Sequence, residues 1–265
     1  MISLRTDKLL AHVADGVGYI TFNQPERHNA MSLDMWQALG DSMEAFDADD
    51  SVRAVVLTGA GGKAFVSGAD ISEFEAQRAN EEQRVQYGKV SGRGYGALAR
   101  CRKPVIAMIR GYCLGGGLVI ALAADLRFAT SGSKFGVPAA KLGLGYDYPG
   151  VAALSRLVGP ARCADILYSA RHLSAQEALS YGLIEFVTED AQLETSVNEY
   201  VAKIVQNAPL TIRAVKASLQ AFARYTQRAD LQEVEGLVSA CYESEDYREG
   251  RRAFMEKRRP EFRGR

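Results

Sequence analysis

Two short glycine-bearing segments, Ala64-Phe65-Val66-Ser67-Gly68-Ala69-Asp70-Ile71 and Gly111-Tyr112-Cys113-Leu114-Gly115-Gly116-Gly117, constrain this chain more than any other feature. Each follows a short apolar run that reads as a strand, Arg53–Thr58 before the first and Pro104–Ile109 before the second. The glycine triplet then opens an apolar helix from about Gly116 to Ala123. Small residues at such turns let backbone N–H groups approach another group closely, and the helix adds its positive N-terminal end. A triplet of this kind can also be a simple turn or packing device. Two other glycine-rich sites fit worse. No Gly-Lys-Ser/Thr follows, as a phosphate-binding loop needs, and no GxGxxG stands after a strand with an acidic residue some twenty positions on.

The surrounding pattern alternates strand, turn and helix. Leu9–Ala14 and Val17–Phe22 flank Asp15-Gly16, a hairpin turn signal. Ser32 reads as an N-cap, with Asp34 in the first turn and a helix to about Asp49. Gly59–Gly62 leads into the first segment, and Asp125–Ala129 is another short strand. Glu73–Ala99 is polar and partly helical; Gly88, Gly92, Gly94 and Gly96 weaken its centre and predict an irregular or mobile stretch. Helices are expected over Pro149–Leu157, Ala161–Tyr168, Ala175–Tyr181, Asp190–Asn207, Pro209–Phe222, Asp230–Cys241 and Glu243–Arg258, with a capping box at Ser174-Ala175-Gln176-Glu177. Asn207-Ala208-Pro209 breaks the helical run. The alternation predicts an α/β fold, divided into a core over 1–200 and a helical C-terminal region over 201–265.

Charge narrows the partners. Lys+Arg and Asp+Glu number 32 each in 265 residues, a balance that argues against a general nucleic-acid or anionic-membrane binder. Cys101, Cys113, Cys163 and Cys241 are scattered without a CxxC and read as reduced, mostly buried thiols. The N-terminal residues Met1-Ile2-Ser3-Leu4-Arg5 start no secretory signal, and no apolar run approaches the ~18 residues of a membrane span. A cytoplasmic location is the expectation.

The two glycine segments together resemble the two halves of the oxyanion hole of the crotonase (enoyl-CoA hydratase/isomerase) superfamily. The resemblance extends to Pro25-Glu26-Arg27-His28-Asn29-Ala30-Met31, to Phe135-Gly136-Val137-Pro138 with Leu142-Gly143-Leu144-Gly145, and to the closing stretch from Tyr242 through Pro260. It spans nearly all of the chain. It implies a spiral of ββα units with a helical C-terminal region, assembled as a homotrimer or homohexamer. It also implies an acyl-CoA substrate, with coenzyme A entering as part of the thioester and no separate cofactor or metal. Carried over, the N–H groups of Ala69 and Gly116 stabilise an enolate oxygen on the thioester. One such donor is worth about 3–4 kcal/mol. The resemblance places the CoA moiety near Arg27, His28, Ala30, Ser67, Asp70 and Ile71, and the acyl-pocket walls within Phe74–Tyr95.

The pattern then breaks at two positions. A hydratase of the superfamily carries glutamates where this chain has Val119 and Ala139. Hydration needs two carboxyl groups to hold and split a water, and neither apolar side chain can carry a proton. Tyr146 and Asp147 are the polar candidates that remain. Asp147 matches the catalytic aspartate of the superfamily's dienoyl-CoA isomerases, and Tyr146 a functional tyrosine of its methylmalonyl-CoA decarboxylases. Either residue could instead belong to a loop capping the next helix. The reading is therefore isomerase or decarboxylase chemistry through an enolate, with a catalytically silent CoA-binding subunit or an atypical hydratase as the alternatives. His12, His28 and His172 show no metal-ligand spacing, the basic tail from Arg251 to Arg265 reads as a solvated face or subunit contact, with contact to the CoA phosphates as the lesser alternative, and Trp36 reads as core.

Overall fold

Strand pairing organises the chain into two sheets joined by glycine turns. The computed structural model describes residues 2, 4–70, 73, 80–224, 239 and 242–261, with backbone alone at Glu81 and 221–224. Strands β1 (Leu9–Ala14) and β2 (Val17–Phe22) form an antiparallel hairpin. Its turn residues Asp15 and Gly16 have φ of 50° and 76°, the paired left-handed geometry that matches strand twist. Parallel strands β3 (Ala54–Gly59), β5 (Val105–Ile109), β7 (Leu126–Thr130) and β10 (Phe186–Thr188) extend the sheet in the order β1-β2-β3-β5-β7-β10. A smaller sheet, order β4-β6-β8-β9, is made of β4 (Ala64–Val66), β6 (Tyr112–Leu114), β8 (Lys134–Gly136) and β9 (Leu173–Ser174).

Each repeat thus runs one strand through the large sheet, turns, runs a three-residue strand through the small one, and leaves by a helix. The pairs β3/β4 and β5/β6 feed α2 (Glu81–Arg100) and α3 (Gly116–Ala123), and β7/β8 feed a 3-10 turn over Pro138–Leu142. This is the expected spiral of ββα units, a mixed α/β fold. The turn at Gly111 shows why the sequence is held there: φ is 70°, and a Cβ would stand 2.0 Å from the Lys63 carbonyl oxygen.

The central strands β3 and β5 are buried on both faces and so are mainly apolar, whereas the edge strand β1 alternates buried and exposed residues over its first half. Val55, Leu57, Val105, Ala107 and Ile109 face the main core with α1 (Leu33–Ala48) and α2. The alternate residues Ala54, Val56, Ile106 and Met108 face Leu193, Val197 and Val201 of α7 (Leu193–Gln206). Helix α1 begins where expected, with the Ser32 hydroxyl accepting from Met35 N–H at 3.3 Å, and Trp36 is 5% exposed in the core.

Helix α2 corrects an expectation. The four glycines do not break it; it runs without interruption for 20 residues from an Asn80 cap. Tertiary packing overrides the weak propensity. A Cβ on Gly94 would lie 2.5 Å from the Trp36 carbonyl and one on Gly40 3.4 Å from Gly94 Cα, so glycine brings α1 and α2 into close contact. The Tyr87 hydroxyl then accepts from Trp36 Nε1 at 3.0 Å.

The C-terminal half carries α4 (Tyr148–Val158), α5 (Pro160–Ser169), α6 (Ala175–Ser180), α7, α8 (Pro209–Arg224) and α9 (Glu245–Met255). The expected helix over Asp230–Cys241 lies outside the described residues, apart from position 239. Cys101, Cys113 and Cys163 are free and buried. No helix among the described residues is long and apolar enough to cross a membrane.

The capping box at Ser174 forms as read. Glu177 N–H donates to Ser174 Oγ at 3.2 Å and Ser174 N–H to Glu177 Oε2 at 2.8 Å, with Arg171 2.7 Å from the other carboxylate oxygen. These bonds, led by the Ser174 N–H and followed by Arg171, lower the Glu177 carboxyl from 4.5 to about 2. A carboxyl depressed by folding stabilises the fold above its unfolded pKa. Wild type is therefore expected to lose stability between about pH 4.5 and pH 2, a loss that Glu177→Gln blunts in urea titrations across that range. Ser174→Ala should cost about 1 kcal/mol at neutral pH in the same assay.

Candidate active site

The two glycine segments meet at the end of the small sheet, and the meeting leaves two N–H groups unused. Strand β4 lies parallel to β6, which brings Ser67–Asp70 beside Leu114–Gly117. Three backbone bonds pin the first segment to the 28–31 turn: Ser67 N–H to the His28 carbonyl at 3.1 Å, Met31 N–H to Gly68 at 2.8 Å, and Asp70 N–H to Met31 at 3.0 Å. These bonds use the groups on either side of Ala69 N–H and leave it turned the other way. The second segment is held by Gly115 N–H donating to Gly136 at 2.9 Å. Gly115 has φ 49° and ψ −116°, so α3 starts abruptly and Gly116 N–H is the first of its unsatisfied donors.

The approach of the two segments depends on glycine. A Cβ on Gly116 would lie 3.7 Å from the Ala69 nitrogen. On Gly117 it would lie 2.1 Å from the Val66 carbonyl oxygen. Neither Ala69 N–H nor Gly116 N–H donates a hydrogen bond among the described residues. Both line a cleft of about 1410 Å³.

Arg27, Ala30, Ser67, Asp70, Tyr146 and Asp147 line the same cleft. Asp70 is 6% exposed and Arg27 Nη1 stands 2.8 Å from its carboxylate. His28 does not belong to the lining; its φ is 53°, its side chain is exposed, and its ring centroid lies 6.1 Å from that of Tyr112. Ile71 lies outside the described residues. Val119 and Ala139 both line the cleft, so the two positions without glutamate are on its wall.

Tyr146 and Asp147 sit where β8 and its 3-10 turn lead into α4. Asp147 is the N-cap residue of α4; its side chain is exposed and makes no capping bond to the helix. The Tyr146 ring folds against Gly150: a Cβ there would meet ring atom Cε1 at 2.8 Å. Sequence reading missed Gly150, although a glycine two residues into a helix was the available signal. The Tyr146 hydroxyl oxygen is closed off from solvent and has no hydrogen-bond partner among the described residues. Burial first, then Tyr95, Cys163 and Asp147, push its pKa well above the ordinary phenol range. It is a neutral donor over the whole physiological range.

The rest of the wall comes from Tyr87, Gly88, Ser91, Gly92 and Tyr95 of α2 and from the C-terminal segment. Arg258 and Arg259 are exposed, as a solvated face requires, and they also line the cleft. Glu249 orients Arg258 through contacts of 2.5 and 3.0 Å, and those bonds hold the Glu249 carboxyl well below the usual range. Helix α9 reaches this place because glycine permits it: a Cβ on Gly250 would lie 2.4 Å from the Leu142 carbonyl oxygen, and one on Gly143 2.7 Å from that of Asp246.

The sequence pattern of the enoyl-CoA hydratase/isomerase family matches residues 12–265. The chain belongs to that family. It is 37% identical over 249 residues to the short-chain-enoyl-CoA hydratase of Clostridium acetobutylicum, covering 92% of this chain and 93% of that protein. Among enoyl-CoA hydratase/isomerase structures, an enoyl-CoA hydratase/carnithine racemase from Magnetospirillum magneticum superposes with a TM-score of 0.81 at 36% identity, over 98% of this chain and 97% of that one. A methylmalonyl-CoA decarboxylase in complex with 2-nitronate-propionyl-CoA superposes with a TM-score of 0.89 at 28% identity, over 98% and 99% of the two chains. Membership makes the chain an acyl-CoA enzyme of the crotonase superfamily and leaves the reaction to be argued from the site.

Proposed function

We propose that the protein decarboxylates a 2-carboxyacyl-CoA thioester. One observation carries the reading: the free N–H groups of Ala69 and Gly116 share their cleft with apolar Val119 and Ala139, where a hydratase would hold its glutamates. The thioester oxygen accepts from both N–H groups. The bond from the α-carbon to the carboxylate carbon breaks, carbon dioxide leaves, and the electron pair passes into an enolate whose charge lies on that oxygen. A solvent proton then restores the α-carbon. No strong base is needed, and a glutamate beside the leaving carboxylate would repel it. Tyr146, neutral and without a partner among the described residues, donates to the carboxylate once its ring turns the enclosed hydroxyl into the cleft. The likeness to the decarboxylase complex supports this assignment.

A second reading has its own observation. Asp147 is exposed on the cleft wall and could carry a proton between two carbons of an enoyl thioester, which is isomerisation. Coenzyme A enters as part of either substrate, and assembly as a trimer or hexamer belongs to the same proposal.

Incubation of the protein with crotonyl, 3-enoyl, dienoyl, malonyl, methylmalonyl and ethylmalonyl thioesters in deuterated water, read by mass spectrometry, separates these readings. Loss of carbon dioxide is the expected result. Deuterium uptake without other mass change would replace it with isomerisation through Asp147. Gain of water would overturn the argument from Val119 and Ala139, and an unchanged panel would favour a silent CoA-binding subunit. Tyr146→Phe should lower decarboxylation about 10- to 100-fold, the worth of one hydrogen bond to a charged group. It should not reduce thermal stability, because the hydroxyl it removes has no partner among the described residues. The pH profile of wild type should show no tyrosine ionisation up to pH ~10, since burial raises that pKa.

A further inference from the structure

Arg27 and Ala30 line the cleft, but Asn29 between them does not and is 0% exposed. A side chain so enclosed acts within the fold. Asn29 has φ 56°, a left-handed conformation that asparagine tolerates better than most residues. Its amide oxygen accepts from Gln24 N–H at 2.9 Å, and its amide nitrogen donates to the carbonyls of Ala60 at 2.9 Å and Ala64 at 2.8 Å. The amide is therefore held in one orientation, since a reversed amide would set its oxygen against two carbonyl oxygens. Glycine at 59 makes room for it: a Cβ there would lie 2.8 Å from Asn29 Nδ2 and 2.3 Å from the Ala64 carbonyl oxygen.

These bonds fall at the root of the first glycine segment. Ala64 opens β4, which is three residues long and runs directly into Ser67, Gly68 and Ala69. Pairing with β6 shifts register between Ala64 and Val66, so the ladder alone does not fix where the strand exits. Asn29 grips the start of β4, and its neighbours His28 and Met31 grip the end through Ser67, Gly68 and Asp70. We propose that Asn29 is a positioning residue, whose amide fixes the direction of Ala69 N–H towards the oxygen it shares with Gly116 N–H. Without the two donated bonds, the 60–64 loop and β4 move together and Ala69 N–H turns off that oxygen. The inference rests on the reading that a thioester oxygen sits between these two N–H groups, and is independent of whether decarboxylation or isomerisation follows.

The test reads the contact to the thioester oxygen directly, beside turnover. Butyryl-CoA labelled with carbon-13 at the thioester carbonyl is titrated into wild type, Asn29→Asp, Asn29→Gly and Ser174→Ala. Aspartate and glycine both accept the left-handed backbone; aspartate keeps the acceptor for Gln24 N–H, and glycine removes all three bonds without strain. The carbonyl resonance should move downfield on binding to wild type, because two N–H donors polarise it. Both Asn29 variants should lose about half of that shift or more, since one of the two donors is misaimed. Their affinity for butyryl-CoA should stay within about threefold, because the donors act chiefly in the transition state. Their kcat on whichever thioester of the panel wild type converts should fall about a hundredfold. The carbonyl shift decides even where none is converted. Ser174→Ala, weakened outside the cleft lining, should keep both the shift and kcat. Asn29 variants with lowered unfolding midpoints but the wild-type shift and kcat would make Asn29 structural only and overturn the proposal. A carbonyl resonance that wild type leaves unmoved would retire the oxyanion reading itself, and the proposal with it.

Discussion

Gly117→Ala is expected to lower turnover about 100- to 1,000-fold while the chain still folds. The added methyl would meet the Val66 carbonyl oxygen at 2.1 Å and the Val66 Cβ at 2.8 Å, both in the strand that leads to Ala69. Backbone cannot yield as a flexible side-chain end can, so α3 must shift away from β4. That shift separates Gly116 N–H from Ala69 N–H, which work only when aimed at one oxygen. Losing one such donor costs about 3–4 kcal/mol in the transition state, hence a loss of about 100- to 1,000-fold. Strain should also remove about 2 kcal/mol or more of stability. Steady-state kinetics with denaturant unfolding would check both. Gly132→Ala is the control, with nothing near its Cβ and no place in the cleft. A Gly117→Ala variant with wild-type kcat would show that the two N–H groups do not act together.

The double variant Val119→Glu/Ala139→Glu should exchange one reaction for another. Both positions line the cleft that holds the Ala69 and Gly116 N–H groups. Two carboxyl groups there supply the acid and base that hydration needs, so crotonyl-CoA hydration should rise from background to a measurable rate. Decarboxylation should fall about a hundredfold or more, because a carboxylate near the substrate's own carboxylate repels it by a few kcal/mol. Each single variant should lose decarboxylation without gaining hydration. If carbon dioxide release survives both substitutions unchanged, the apolar wall has no part in the reaction. Far-ultraviolet circular dichroism and unfolding midpoints would confirm that neither new carboxyl disrupts the core.

Much of this molecule was legible because local physics decided it. The Asp15-Gly16 hairpin, the Ser32 cap, the Ser174 capping box and the apolar helix after Gly116 all form where the residues indicate. Each is settled within a few neighbours by turn geometry, capping or a continuous apolar run. The free N–H pair was legible for a related reason: Gly68, Ala69 and the glycine triplet are small because backbone must approach backbone there.

What the sequence left open was decided by contacts between distant segments. Strands β4, β6 and β8 are three residues each, too short for any periodicity; they exist because parallel pairing lines them up at the edge of the cleft. Helix α2 is weak by composition and unbroken in the fold, since Gly94 packs against Trp36. Tyr146 could have been a loop residue facing water, and only the gap above Gly150 turns its ring inward. Arg258 and Arg259 reached the cleft through Gly250 and Gly143, whose close approaches to Leu142 and Asp246 hold α9 in place. The sequence by itself determined the family, the order of elements and the small residues that leave two backbone N–H groups free, because short-range sterics and capping specify them. Tertiary structure alone decided which side chains of the C-terminal half join α2 in walling the cleft, because burial and close approach depend on what the rest of the chain brings alongside.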